Sequence, residues 1–320
     1  MGDKNNRRWT GGINMITRTS QKDRILVLMG GFSAEREVSI RSGKECSMAL
    51  ESLGYNVSTL DPGYDIINDL LEINPDIVFN CLHGSWGEDG HIQSILEYLK
   101  INYTHSGVIA SAKAMNKIAS KEIFSRHGIP IAKSFDLHDL DNLKVDFPII
   151  IKPINGGSSI GVKVINNHSE ALNYIKKNQI DLKNFFAEEF IEGTDFTCGV
   201  IGQKTTEIAE IKTNNIIFDY NAKYKSKLTK HCIPGNLKPN IYEKMKEYAL
   251  RAHVSLNCKG VSRVDFRYSS KTSEEKLVCL EINTQPGMTR NSLLPDLASH
   301  SGIAFSELVE WIINDASLDR

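Results

Sequence analysis

The chain has 320 residues, of which 38 are basic and 39 acidic, for a formal net charge of −1. So even a balance excludes the electrostatic footprint of a nucleic-acid binder or of a protein held on an anionic membrane surface, and small-molecule chemistry is the default. The length suggests two or three folding units, and no apolar run approaches the roughly 20 residues that a membrane helix needs. The six cysteines include no CxxC pair, and Cys81 and Cys279 lie inside apolar strand patterns; a reducing, cytoplasmic location is expected.

Residues 1–20 are polar and carry no helical apolar stripe, so a disordered N-terminal extension is expected, with Met15 an alternative start to Met1. Residues 24–29 then form an apolar run ending at Gly30-Gly31, the pattern of a buried parallel strand entering a tight loop. Val38, Arg41, Ala49, Leu50 and Leu53 share one helical face, with Gly54 at the stop. A second strand follows over 56–60. A helical segment ends at 70–72, Pro75 breaks it, and residues 76–82 make a third strand that closes at His83-Gly84. Strand and helix in alternation predict an α/β unit with a parallel sheet. Ligands of such sheets collect beyond the carboxyl ends of the strands, here the loops 30–35 and 83–90. The first loop lacks GxGxxG, which argues against a dinucleotide. Glu35, beside a helix start, reads from position alone as a favourable charge at the positive end of the macrodipole.

One helix is predicted over 111–128, containing Met115, Lys117, Ile118, Lys121 and Phe124. Strands at 147–153 and 162–165 flank Gly156-Gly-Ser158-Ser-Ile-Gly161. That loop offers several backbone N–H groups and two hydroxyls next to Lys152, as a phosphate cradle requires, but it lacks the Walker ending, and a plain flexible hairpin is the competing reading. A helix at 170–177 precedes strands at 185–191, 197–202 and 207–211. Residues 219–227 are polar and aperiodic, so Lys223 and Tyr224 belong either to a solvated loop or to a lid over an anionic ligand. Helices are predicted over 241–256 and 301–316.

Between those helices lies a hairpin. Alternation puts Arg263 and Asp265 on one face of its first strand and Cys279, Glu281 and Asn283 on one face of its second, with Val264, Phe266, Leu280 and Ile282 opposite. Asp265 should then face Glu281 across the ladder, an unfavourable pairing of like charges. Either a hard cation such as Mg²⁺ relieves it, or the face is solvated and its acids pair with Arg263 or Arg267. Strand pattern alone does not choose.

The stretches Gly30-Gly-Phe-Ser-Ala-Glu35, His83-Gly-Ser-Trp-Gly-Glu-Asp-Gly90, Lys152-Pro-Ile-Asn-Gly-Gly-Ser158 and Glu281-Ile-Asn283-Thr-Gln-Pro-Gly287 occur in an order that resembles the ATP-grasp superfamily. Within it the chain is similar to the D-alanine–D-alanine ligase family, over residues 24 to about 310. The resemblance implies a mixed α/β ATP-grasp fold: a Rossmann-like parallel-sheet domain at 21–115, a central domain at 116–195 and a C-terminal domain at 196–320 with the metal site and lid. It implies ATP-dependent joining of two D-alanine molecules through a D-alanyl phosphate to supply the peptidoglycan dipeptide. D-alanine, ATP and two Mg²⁺ (or Mn²⁺) ions would be bound, and the protein would be a homodimer.

By the same resemblance, Asp265, Glu281 and Asn283 hold the metal, and Lys117 and Lys152 neutralise phosphates. Glu188, Glu189 and Ile191 read the adenine edge, with Asp195 near the ribose. Glu35 receives the ammonium of the first D-alanine, which replaces its helix-dipole reading, and His83 lies near that substrate's carboxylate. Arg263 and the Gly287 N–H face the oxyanion, Ser292 and Leu293 hold the second carboxylate, and Tyr224 joins Ser158 and Glu35 in a hydrogen-bonded triad beside Lys223. Gln285 stands where Ser is frequent, and Asp195 replaces a longer Glu. The rivals are a D-alanine–D-lactate ligase, in which Phe often replaces the loop Tyr, and a non-catalytic ATP-grasp regulator, which need not keep every ligand.

Overall fold

The computed structural model describes residues 19–139, 145–212, 230–270 and 275–320. Four strands, β1 (Arg24–Leu28), β2 (Asn56–Leu60), β3 (Ile77–Asn80) and β4 (Asn102–Tyr103), form a parallel sheet in the order β2-β1-β3-β4. The helices α1 (Arg36–Ser52), α2 (Ile66–Ile73) and α3 (His91–Leu99) connect them. Strands β1 and β3 are buried on both faces, which is why they read as unbroken apolar runs. α3 was not expected; it opens at Gly90, whose φ is +101°, and the Gln93 side chain accepts the Gly90 N–H at 3.1 Å. Because β1 and β3 are neighbours, the loops that follow them meet: Ser33 Oγ donates to the His83 carbonyl at 2.6 Å.

A second, antiparallel sheet has the order β5-β8-β6-β7, from β5 (Ser134–Phe135), β6 (Ile149–Pro153), β7 (Lys163–Ile165) and β8 (Phe185–Glu189). Ile149, Ile151, Ile165 and Ala187 form its core with Ala171 of α6 (His168–Lys177). The third sheet, order β11-β10-β9-β12-β13, comprises β9 (Thr194–Ile201), β10 (Lys204–Lys212), β11 (Lys230–Cys232), β12 (Val261–Ser269) and β13 (Lys276–Asn283). Met245, Ala249 and Ala252 of α7 (Pro239–Ser255) pack on it.

Three expectations are corrected. The helix expected over 111–128 is two helices, α4 (Val108–Met115) and α5 (Lys117–Arg126), divided by extended Asn116. The Asn116 carboxamide accepts the Ala119 N–H at 3.0 Å and the Lys117 N–H goes to Ile154 O at 2.9 Å, so capping and a carbonyl just past the end of β6 together outweigh helical continuity. The helix expected over 301–316 is the shorter α9 (Phe305–Asn314), and a helix that was not expected, α8 (Leu293–His300), precedes it, with Gly302 at φ +86° between them. α8 admits Pro295 because it lies in the first turn, where no N–H is needed. Third, the hairpin register runs Asp265↔Glu281 and then Phe266↔Cys279, so Leu280 is an extra residue in a β-bulge. The bulge reverses two faces: Cys279 joins the core with Val264, Phe266 and Ile282, and Leu280 turns to the other side.

The end of the chain returns to the first sheet. Leu308 and Ile312 of α9 share a core with Cys46 and Leu50 of α1, and Tyr103 bridges Ser317. Thr19 is buried there, its N–H on Asn314 Oδ1 at 3.2 Å. Among the described residues no helix is long and apolar enough to cross a membrane.

Candidate active site

Between the two antiparallel sheets lies a cleft that opens to solvent. Its floor is apolar: Ala132, Ile191 and the bulged Leu280 line it and form one small cluster with Val278 behind them. One wall is charged, with Lys117, Lys152, Glu188, Asp265 and Glu281 all facing the same space. An apolar floor beside clustered ammonium groups suits a flat base carrying phosphates.

The break at Asn116 aims Lys117 into this cleft from the first turn of α5. Lys117 Nζ donates to the Gly156 carbonyl at 2.5 Å and lies 3.6 Å from Glu281 Oε2. Lys152, near the end of β6, has its Nζ 2.5 Å from Glu188 Oε1, while Lys121 Nζ lies 2.6 Å from Oε2 of the same carboxylate. Burial pushes the Glu188 carboxyl up, but Lys152 and Lys121 together outweigh it and hold it below the usual glutamate range. Between β6 and β7, Ser158 and Ser159 both take left-handed backbone angles, with φ of 53° and 56°. Non-glycine residues so placed cost energy and are found where a backbone is shaped for a ligand.

On the hairpin, Asp265 and Glu281 are cross-strand partners, as the alternation predicts. Asp265 is also an ion-pair partner: Arg263 Nε donates to Oδ1 at 2.9 Å and Nη2 to Oδ2 at 2.8 Å. Thr197 Oγ1 donates to Oδ1 at 2.6 Å, and Asn283 Nδ2 reaches Oδ2 at 3.3 Å. Turning the Asn283 amide over sacrifices only that contact and one to the Arg263 carbonyl at 3.4 Å, and would present its oxygen beside Asp265. Among the described residues no three His, Cys, Asp or Glu side chains form an ion cage. Two carboxylates and an amide oxygen are nevertheless a hard donor set, and fit a Mg²⁺ that completes its shell with phosphate oxygens and water.

Where the first sheet meets the second, Ser158 Oγ donates to Glu35 Oε1. Glu35 is buried at the start of α1, and the approach is so close that a Cβ on Gly157 would lie 2.9 Å from Glu35 Oε2. Glu88 also faces this point. Desolvation, then the Glu35 charge, pushes its carboxyl well above the usual range, so the cluster holds more acid than it can ionise without a cation. His83 is buried, with Nδ1 3.0 Å from the Gln285 carbonyl and Nε2 3.3 Å from Ser42 Oγ. A carbonyl only accepts, so Nδ1 carries the proton and Nε2 accepts from Ser42. Burial lowers the His83 pKa despite Glu35, and the ring is neutral. Ser42 Oγ in turn accepts the Met288 N–H at 3.1 Å, which fixes the strand exit next to Gly287. A Cβ on Gly287 would come within 3.0 Å of Ser292 Oγ. Ser292 and Leu293 open α8.

Two sites are partly engaged by the protein itself. The Glu189 N–H donates to Lys133 O at 2.9 Å and the Ile191 carbonyl accepts from Arg267 Nε at 3.0 Å, while Asp195 pairs with Arg267 at 2.8 Å. Lys223 and Tyr224 lie outside the described residues. The structure adds Lys121, Glu88 and Thr197 to the neighbourhood, none of them singled out from sequence. Lys121 had a signal, since it lies four residues after Lys117 on the same helical face. Gln285, which stands where Ser is frequent, is a buried hub that exchanges hydrogen bonds with the Asn80 main chain and side chain and so joins the hairpin exit to β3.

Two antiparallel sheets closing on a cleft of lysines and carboxylates, beside a parallel-sheet unit, define an ATP-grasp protein. Residues 65–106 match the model of the D-ala D-ala ligase N-terminus and residues 122–314 that of the D-ala D-ala ligase C-terminus. The chain belongs to the D-alanine–D-alanine ligase family. A D-alanine–D-alanine ligase of Xanthobacter autotrophicus is 44% identical over 302 residues, 92% of this chain and 99% of that one. Among solved structures, the D-alanine–D-alanine ligase of Bacillus anthracis superposes with a TM-score of 0.79 at 32% identity, covering 92% of this chain and 97% of that one. The same enzyme complexed with ATP gives 0.76 at 29% identity, with the same coverage.

Proposed function

We propose that this protein joins two molecules of D-alanine at the expense of ATP, forming D-alanyl-D-alanine, ADP and phosphate by way of a D-alanyl phosphate. The observation that carries the proposal is the Ser158–Glu35 hydrogen bond. It ties the loop flanking the lysine-lined cleft to the acid that begins α1, so a phosphoryl group and a substrate ammonium would be held in one continuous site.

In this reading the base lies on Leu280 and Ile191, read by main-chain groups of Glu188, Glu189 and Ile191, with Asp195 near the ribose. Lys117, Lys152 and the Ser158 loop neutralise and orient the phosphates. Positioning of this kind supplies most of the catalysis in phosphoryl transfer. Glu35 accepts the ammonium of the first D-alanine, and an arriving cation also favours the ionised form of Glu88. Neutral His83 faces that substrate's carboxylate without competing for the phosphoryl group. Asp265, Glu281 and Asn283 would hold Mg²⁺ or Mn²⁺, two ions in all, which when bound would supply positive charge to neutralise the phosphates. Arg263 and the Gly287 N–H would donate to the developing oxyanion, and Ser292 and Leu293 would receive the second carboxylate. Lys223 and Tyr224 are assigned to the closing loop. The domain boundaries 21–115, 116–195 and 196–320, a homodimer and a cytoplasmic location for cell-wall precursor synthesis belong to the same proposal.

The test is mass spectrometry of the products made from ATP, Mg²⁺ and a mixture of D-alanine and D-lactate. D-Alanyl-D-alanine with stoichiometric phosphate is expected. No phosphate release, or release only when D-lactate is present, would overturn it.

A further inference from the structure

Lys121 is left over from these assignments. It is buried on α5 and does not line the cleft, whereas its partner Glu188 and the other partner of Glu188, Lys152, both do. Each oxygen of the Glu188 carboxylate is occupied by one ammonium, Lys121 at 2.6 Å and Lys152 at 2.5 Å, and both ammonium groups lie over the Phe186 ring at 5.6 and 5.3 Å. The side chains of Lys121 and Glu188 are only 4% and 3% exposed, so water cannot replace either partner.

A nucleotide entering the cleft brings phosphates that compete with Glu188 for Lys152. If Lys152 were the only partner of Glu188, that transfer would strand an unpaired carboxylate in a buried site, and the penalty would be subtracted from nucleotide affinity. A second ammonium on the far oxygen removes the penalty. We propose that Lys121, which touches no ligand, is a positioning residue: it holds Glu188 in place and thereby releases Lys152 to the nucleotide phosphates. The inference rests on the nucleotide reading of the cleft. Electrostatics agree with it, since burial lowers the Lys121 pKa while the Glu188 charge opposes that shift, as in a pair held together by mutual need.

The test is calorimetric titration of ADP and of a non-hydrolysable ATP analogue into the full chain and into K121M, E188Q and the K121M/E188Q double variant, with thermal melts as the folding control. K121M should weaken nucleotide binding about tenfold, a coupling of the size contacting charged groups show. In the E188Q background the same change should cost less than about threefold, because a neutral amide does not retain Lys152. Steady-state kinetics should show a raised KM for ATP with KM for D-alanine nearly unmoved, and K121R should recover most of the affinity. If K121M melts below the assay temperature, K121Q gives the same comparison. Wild-type affinity in the charge-removing variant, or equal losses in both backgrounds, would overturn the proposal. Failure of the unaltered chain to bind ADP would instead bring down the nucleotide reading beneath it.

Discussion

Replacing Asp265 by asparagine separates the two roles open to its carboxylate. The substitution keeps the shape and removes the charge. Oδ1 now accepts from Arg263 Nε and Thr197 Oγ1, and Oδ2 from Arg263 Nη2, at 2.6–2.9 Å. An amide accepts at one of those atoms only, and its NH₂ would face a donor at the other. The Arg263 and Asp265 side chains are 10% and 13% exposed, so the guanidinium would keep its charge where little water can reach it. Losing the partner of such a pair costs about 3 kcal/mol. A chain of 320 residues melting as one unit has an unfolding entropy of about 0.7 kcal/mol/K, which converts that loss to a fall in Tm of about 4–5 °C. Scanning calorimetry measures the fall, and a phosphate-release assay across a Mg²⁺ titration measures the chemistry. Asp265→Asn is expected to lower Tm by that amount and to abolish turnover at every Mg²⁺ concentration. Near-wild-type turnover at saturating Mg²⁺ would refute a metal-holding role for Asp265, and an unchanged Tm would refute the structural weight given to its pair with Arg263.

Gly157→Ala would put a Cβ 2.9 Å from Glu35 Oε2 and displace the carboxylate from Ser158; KM for D-alanine should rise about tenfold in steady-state assays, with nucleotide affinity changed less. Burial, with the Lys259 charge behind it, pushes His253 from 6.5 down to about 4. The folded value is the lower one, so stability from the neutral ring is complete above pH 6.5 and is lost as pH falls through about 4, roughly 3 kcal/mol in all. Urea midpoints at pH 7.5 and 4.5 should show the loss, and His253→Gln should flatten it. Tyr224→Phe should admit some D-lactate as second substrate, read as depsipeptide by mass spectrometry; unchanged discrimination would remove Tyr224 from specificity. Chelation should abolish phosphate release and either Mg²⁺ or Mn²⁺ restore it, whereas metal-independent release would refute the cation assignment.

Much of the fold was legible because strands and loops are marked locally. Apolar runs ended by Gly30-Gly31 and His83-Gly84 located β1 and β3, and alternation set Asp265 opposite Glu281. The bulge at Leu280 was not legible, since Val278, Cys279 and Leu280 are all apolar and a two-residue period runs through them without a break. At Asn116 the signal existed, an N-cap residue type, but helical spacing on both sides masked it. Pro295 and Gly302 likewise marked a helix before the last one, although only the helix over 301–316 was expected.

Residue chemistry and order along the chain were sufficient for the class of fold, the family and a list of acids, lysines and glycines with plausible roles. Only the tertiary structure decided who meets whom. Glu35 and Ser158 are 123 residues apart, His83 and Gln285 are 202 apart, and Lys121 and Glu188 are 67 apart. Desolvation and charge pairing depend on distance in space, and periodicity reports only which way a side chain leaves its own strand or helix. That is why Lys121 reads in sequence as one more polar residue on a helix, and in the folded chain as half of what neutralises a buried carboxylate.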